Sequence, residues 1–374
     1  MVKELTMLRW AVLAGFVAIG MAASAQTTSL KDAYQGCFLV GAALNVSEFT
    51  GQKNGALITS QFNSISPENV LKWEIVHPKP DTYDFSLADK YVEFGLKNHM
   101  EVVGHNLVWH SQTPKWVFED EKGDPVTREV LLRRMRDHIH TVVGRYKGKI
   151  KEWDVVNEAL DEDGTMRMSP WRKIIGPDYI QYAYQYAHEA DPKAQLNYND
   201  YNLENEAKRG GALKLIELAK KRGVPIQAVG LQDHFDMEWA PVSQLSDTIS
   251  AFAKLGVKVM ITELDVDVLP KATKQQTSDV SVNVAADPKL NPYTNGLPDE
   301  IQQQLATRYA DLFSTYAKHC GEVTRVTFWG VTDADSWKNG WPIKGRTNYP
   351  LLFDRDGKPK PAFEAVIQAA PEKK

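Results

Sequence analysis

Residues 151–160, KEWDVVNEAL, decide the fold. Residues 150–157 read as a strand with apolar positions on both faces, which suits a parallel sheet covered by helices. The strand stops abruptly at Asn157 and Glu158. The C-terminal tips of such strands are where closed α/β barrels carry their chemistry. An isolated Asn-Glu is more often a solvated turn, because Glu is seldom buried. The rest of the chain changes that reading.

Outward from this segment, strand-like runs alternate with longer helical stretches. The other strands are predicted at 38–44, 64–66, 101–107, 194–199, 226–232, 257–262 and 323–329. Helical patterns occupy 53–62, 87–98, 127–144, 177–190, 204–222, 241–255, 298–319 and 361–370. Thr127 suits a helix N-cap and Gly223 a helix stop. Residues 267–297 are rich in Asp, Pro, Asn and Thr and predict a long loop over one face. Eight strands separated by helices predict an α/β fold, a (β/α)8 TIM barrel in a single domain. The rival is an open doubly wound sheet. Against it, Val40-Gly41-Ala42-Ala43 after the first strand is no Gly-rich phosphate loop.

The chain has 374 residues and a net charge of −4, so nothing favours nucleic acid or an anionic membrane as partner. Lys3 and Arg9 precede an apolar run over 10–22, and Ala23-Ser24-Ala25 fits a cleavage site before Gln26. Residues 1–25 therefore read as a signal peptide and 26–374 as the folded domain, secreted or periplasmic. The rival is an uncleaved anchor, for which the run is short. Cys37 and Cys320 flank the first and last strands; they could pair or stay as free thiols. Ten Trp are many, and flat aromatic faces suit a cleft that stacks flat ligands.

Nearly every strand ends in unusual polar or aromatic residues. They are Glu68, Asn69 and Lys72; His105, Trp109 and His110; Asn157 and Glu158; Asn199 and Tyr201; Gln232 to His234; Glu263 and Asp265; Trp329, Asp333 and Trp337. Each buried and unsatisfied polar group would cost about 1–3 kcal/mol, so convergence on one cleft explains them together. By alternation Val257, Val259, Ile261 and Glu263 share a face, as do Ala228, Gly230, Gln232 and His234. Glu263 and His234 are then neighbours, with Asp265 placed to orient the imidazole. That arrangement keeps Glu263 ionised, as a nucleophile requires. Aromatic surroundings and a nearby negative charge would keep Glu158 protonated, as an acid. Two carboxyls with split roles are the machinery of glycoside hydrolysis. The His and carboxylate residues lie on different strands without ligand spacing, so neither metal nor cofactor is expected.

WDVVNEAL (153–160) and ITELDV (261–266) resemble the family-10 glycoside hydrolases, the endo-1,4-β-xylanases. So do PENVLKWE (67–74), GHNLVWH (104–110), NDYN (199–202), GLQDHF (230–235) and FWGVTDADSW (328–337). The resemblance implies a barrel that hydrolyses xylan with retention, acting on xylan and xylo-oligosaccharides as a monomer. It makes Glu158 the acid/base and Glu263 the nucleophile. Asn157 would meet the sugar 2-hydroxyl in the −1 subsite, and His234 and Asp265 would orient the nucleophile. Lys72, His105, Trp109, Gln232, Trp329 and Trp337 would wall that subsite, Glu68 and Asn69 would serve −2, and Tyr201 would stand near +1.

Three features depart from the family pattern. Val70-Leu71 stands where Met is common, Asp233 adds a charge between Gln232 and His234, and residues 267–297 are long. Alternation turns Asp233 away from the interior. The rival readings are a cellulase-like retaining β-glycanase and a non-catalytic xylan-binding barrel.

Overall fold

The computed structural model describes residues 28–274 and 276–372. The signal peptide read at 1–25 lies outside the described residues. The sheet is a closed ring of parallel strands: β1 (Leu39–Leu44), β2 (Ser64–Pro67), β3 (Glu101–Val108), β4 (Glu152–Asn157), β5 (Gln195–Asp200), β6 (Ala228–Leu231), β7 (Lys258–Asp267) and β8 (Val323–Phe328). β1 pairs with β8 and β6 with β7, which closes the barrel. The expected (β/α)8 architecture is the observed one. The region read as one sixth strand is broken after Leu231. A separate short strand, His234–Asp236, then pairs with the extended end of β7.

Helices cover the outside. Arg128–Arg145 starts at Thr127, whose hydroxyl accepts from the Val130 amide. Its buried residues Leu131, Met135, Ile139 and Val142 recur at helical spacing, so one face packs inward. Tyr91, on the helix Ser86–Lys97, passes its hydroxyl to the carbonyls of Ile65 and Val103 on two strands. Gly104 must lack a side chain: a Cβ there would meet the Trp153 ring at 2.1 Å.

The barrel interior is polar in layers. At its base Arg325 pairs with Glu152 at 2.7 Å, and Gln195 donates to Glu152 at 2.9 Å. Above them His105 meets Asp154 at 2.9 Å. Higher still stand Asn157, Asn199, Thr262 and Glu263. Buried ions in such a layer need partners, and here they have them.

The alternation read into the seventh strand does not hold. Val259 and Ile261 pack in the apolar layer under the helices, while Met260 and Thr262 face inward. An extra residue in β7 relative to β8, between Ile261 and Leu264, turns Glu263 inward as well. A similar slip separates Asp154 from Val156 on β4. At the opposite end of the barrel a disulfide joins Cys37 and Cys320, with Cα atoms 4.8 Å apart.

Candidate active site

The strand tips bring Glu158 and Glu263 into one polar cluster. Both are buried, at 4% and 5% exposure. Glu158 sits just past β4 with φ +56°, a left-handed conformation that side chains other than Gly rarely adopt. Such strain collects at functional sites. Trp109 donates its indole N–H to Glu158 Oε2 at 2.8 Å. Gln232 and Asn157 donate to Oε1 at 3.1 and 3.3 Å. Glu263 Oε1 accepts from the Asn199 amide at 2.8 Å. Its Oε2 lies 3.2 Å from His234 Nε2, and His234 Nδ1 lies 3.1 Å from Asp265. Asp265 also accepts from the Trp337 indole at 2.7 Å.

The two carboxyls have opposite electrostatics. Burial, then the Asp200 charge, push Glu158 up to about 7, with Glu263 adding to the rise. Burial would also raise Glu263, but the His234 hydrogen bond, the His105 charge and Asn199 outweigh it and hold Glu263 below the usual range. His234 is held up, against its own burial, by Asp265 and Glu263. One group is thus suited to give a proton and the other to carry charge.

Around this pair, Lys72 is buried and places its ammonium 5.0 Å from the Trp109 ring centre. It donates to Asn69 at 3.0 Å and to Gln112 at 2.7 Å. Glu68 and Asn69 are half-buried beside it, 3.4 Å apart, on the side away from β5. His105 lies beneath Trp329, with ring centres 5.3 Å apart. Trp337 lies 4.9 Å from the His234 ring and stacks on Trp341 at 4.6 Å. Tyr201 is almost wholly buried, its ring 3.4 Å from the Lys208 ammonium and its hydroxyl accepting from Arg167 at 2.9 Å. His110 is driven to about 4, mainly by burial, and lies in the neighbourhood of Arg167.

Several members of the cluster carried no role in the sequence reading. Asn199 is visible there as a polar strand tip. Gln112, Arg167, Trp341 and Lys338, whose ammonium lies 3.7 Å from Asp265, give no comparable signal. Arg167 holds the Glu158 carbonyl, Tyr201 and Asp279 at once, at 3.2, 2.9 and 3.1 Å. Asp279 belongs to the 267–297 loop, which also leans on Asn202 and on the His234 carbonyl through Gln276. The loop closes one side of a cleft of about 520 Å³ that Tyr201 and Arg167 also line.

The model of glycosyl hydrolase family 10 matches residues 29–369. Endo-1,4-beta-xylanase A of Xylanibacter ruminicola is 46% identical, over 95% of this chain and 97% of its own. A solved endoxylanase of the same family, retrieved from a sugarcane soil metagenome, is 48% identical with a TM-score of 0.89, covering 91% of this chain and 99% of that one. A mutant relative solved in complex with xylotriose is 37% identical, with a TM-score of 0.81 over 91% of this chain and 99% of its own. A match over nearly the whole folded length, joined to a barrel with two unlike carboxyls at its strand tips, places the chain in one group: it belongs to glycosyl hydrolase family 10.

Proposed function

We propose that the protein is an endo-1,4-β-xylanase that hydrolyses the xylan backbone with retention, by double displacement. The observation that carries this reading is the buried pair Glu158 and Glu263, one raised to about 7 and the other held low. Protonated Glu158 gives its proton to the departing glycosidic oxygen while ionised Glu263 attacks the anomeric carbon. The ester formed on Glu263 carries no charge. Glu158 then loses the Glu263 charge that helped to raise it and is better able to act as the base that takes a proton from water. Water displaces Glu263, and the configuration is restored.

His234 and Asp265 keep Glu263 ionised. Asn157 meets the sugar 2-hydroxyl. Lys72, His105, Trp109, Gln232, Trp329 and Trp337 wall the −1 subsite, Glu68 and Asn69 serve −2, and Tyr201 stands on the +1 side. Xylan and xylo-oligosaccharides are the partners, and the enzyme works as a monomer. Export follows from residues 1–25, and a Cys37–Cys320 bridge suits an oxidising compartment.

Glu158→Gln and Glu263→Ala test the assignment on xylan, with the product anomer followed by NMR. Both variants should bind xylo-oligosaccharides and lose turnover, and the wild type should release the β-anomer first. Unchanged turnover in either variant, or an initial α-product, overturns the roles. Stronger hydrolysis of carboxymethylcellulose than of xylan overturns the substrate.

A further inference from the structure

Asp233 stands between two site residues, yet its own side chain leaves the site. Its backbone has φ +54°, and the carboxyl turns outward under the helix Asp299–Lys318, where Oδ2 accepts from the Tyr316 hydroxyl at 2.7 Å. There it meets Glu204, from the segment that follows β5 and Tyr201; the two carboxyls are within hydrogen-bond contact. Each residue is only 1% exposed. Among the described residues no other residue's N–H or O–H reaches Asp233 Oδ1 or either carboxyl oxygen of Glu204, whose one backbone contact is with its own N–H.

The charged groups nearby are committed elsewhere. From the helix above, Arg308 donates to the carbonyls of Asp236 and Ala240. From the helix Glu206–Lys221, Lys208 pairs with Asp200 and Glu162, and Arg209 donates to the Glu204 carbonyl and to Thr248. Tyr316 supplies the pair's one hydroxyl donor among these groups. Two adjoining carboxylates so deeply buried cannot both be charged, and a proton held between them supplies the missing donor. Burial, followed by the Glu204 charge, drives Asp233 well above the usual carboxyl range.

We propose that Asp233 and Glu204 share a proton and so act as a clasp outside the barrel that positions Gln232 and His234. The turn they fasten carries Gln232 onto Glu158 and His234 onto Glu263. It also ties the β5 tip, with Tyr201, to the β6 tip. Loss of the shared proton leaves two facing anions, and the turn at Asp233 relaxes. The consequence is an alkaline loss of activity separate from the titration of Glu158. The inference rests on the roles given to Glu158 and Glu263 above.

The test uses Asp233→Asn and Glu204→Gln, in each of which a side-chain amide replaces the shared proton as donor. kcat/KM is followed from neutral to alkaline pH on a dinitrophenyl β-xylobioside, whose leaving group departs without a proton from Glu158. Thermal unfolding is measured over the same range. Once the shared proton is lost, wild-type kcat/KM should fall by about tenfold per pH unit, with a parallel fall in Tm. Both amide variants should lack that fall, each relative to its own neutral value. Superimposable profiles in wild type and variants overturn the clasp.

Should the amide variants not fold, infrared spectra of the Glu158→Gln protein decide instead. A neutral carboxylic acid band should persist well above the usual carboxyl range and shift on H/D exchange; its absence overturns the proposal. Failure of the underlying assignment would appear differently, as retained xylan turnover in Glu158→Gln or Glu263→Ala.

Discussion

The Asn199 side-chain nitrogen lies 2.8 Å from Glu263 Oε1 and 2.9 Å from Asn157 Oδ1. Thr262 holds the other end of the same amide, donating to Asn199 Oδ1 at 2.6 Å. One amide therefore supports the ionised carboxylate and joins it to the residue beside Glu158. Hydrogen bonds to charged groups contribute about 1.5–3 kcal/mol. Asn199→Ala should lower kcat/KM on xylo-oligosaccharides by roughly tenfold to a hundredfold. Glu263 also loses a group that favours its charged form. Its value rises, so the acid limb of the pH–kcat/KM profile should move to higher pH. A uniform loss with an unmoved acid limb would assign Asn199 to binding alone.

Under the proposed mechanism the alkaline limb belongs to Glu158. With natural xylan the limb should fall near pH 7, where Glu158 loses its proton. Asp200 is the largest charge acting to raise it, and Lys208 partly neutralises Asp200 from 3.0 Å with both side chains fully buried. Lys208→Met leaves Asp200 with less compensation, so the alkaline limb should move upward. The same change strands a buried anion and should cost about 3–5 kcal/mol, measured by urea unfolding. A lost Tm with an unmoved limb would show that Lys208 acts only on stability.

The positions of the strands and the order of the tips were legible, because parallel strands are continuous apolar runs and the helices between them carry a separate period. The orientation of Glu263 was legible only by accident. Strict alternation puts it on the face of Val259 and Ile261, and those residues point away from the barrel. The slip that turns Glu263 inward is a matter of backbone pairing between β7 and β8, and no residue in ITELDV announces it. The left-handed backbone of Glu158 is equally silent in sequence. Arg167, Lys338 and Trp341 lie on connections whose course over the tips depends on tertiary packing. Gly230 faces inward beside Asn199 and Thr262, whereas the polar base of the barrel, Arg325 with Glu152 and Gln195, has no counterpart in the pattern of strand tips.

Acid stability should be limited by two histidines outside the site. His77 Nε2 donates to the Pro80 carbonyl at 3.0 Å, which leaves its Nδ1 as acceptor for His138 Nδ1–H at 3.2 Å. His138 stacks on Trp73 at 3.7 Å, and its buried Nε2 has no partner among the described residues. Burial holds both residues below the ordinary histidine value, so the folded state binds fewer protons than the unfolded chain. Stability is then complete above about pH 6.5 and declines as pH falls below it. His138→Phe keeps the stacking and removes one titration. Its Tm should decline less between about pH 6.5 and 5 than that of the wild type. Equal slopes would mean that both imidazoles accept protons without cost in the fold.

The Cys37–Cys320 bridge spans 283 residues and lies before β1 and before β8, at the end of the barrel opposite the strand tips. It ties the two strands whose pairing closes the ring from the termini. A loop of that length removes much conformational freedom from the unfolded chain, about 5 kcal/mol in the entropic account. The double change Cys37→Ala and Cys320→Ala should therefore lower Tm by several degrees, given about 2–4 °C per kcal/mol or less for a chain of this size. Because the bridge touches no residue at the strand tips, kcat and KM at 25 °C should stay within about twofold of the wild type, well under the tenfold that 1.4 kcal/mol represents. A large fall in kcat at a temperature where the variant is fully folded would show that strain at the base of the barrel is transmitted to Glu158 and Glu263, and the bridge would then belong to the catalytic architecture as well as to stability.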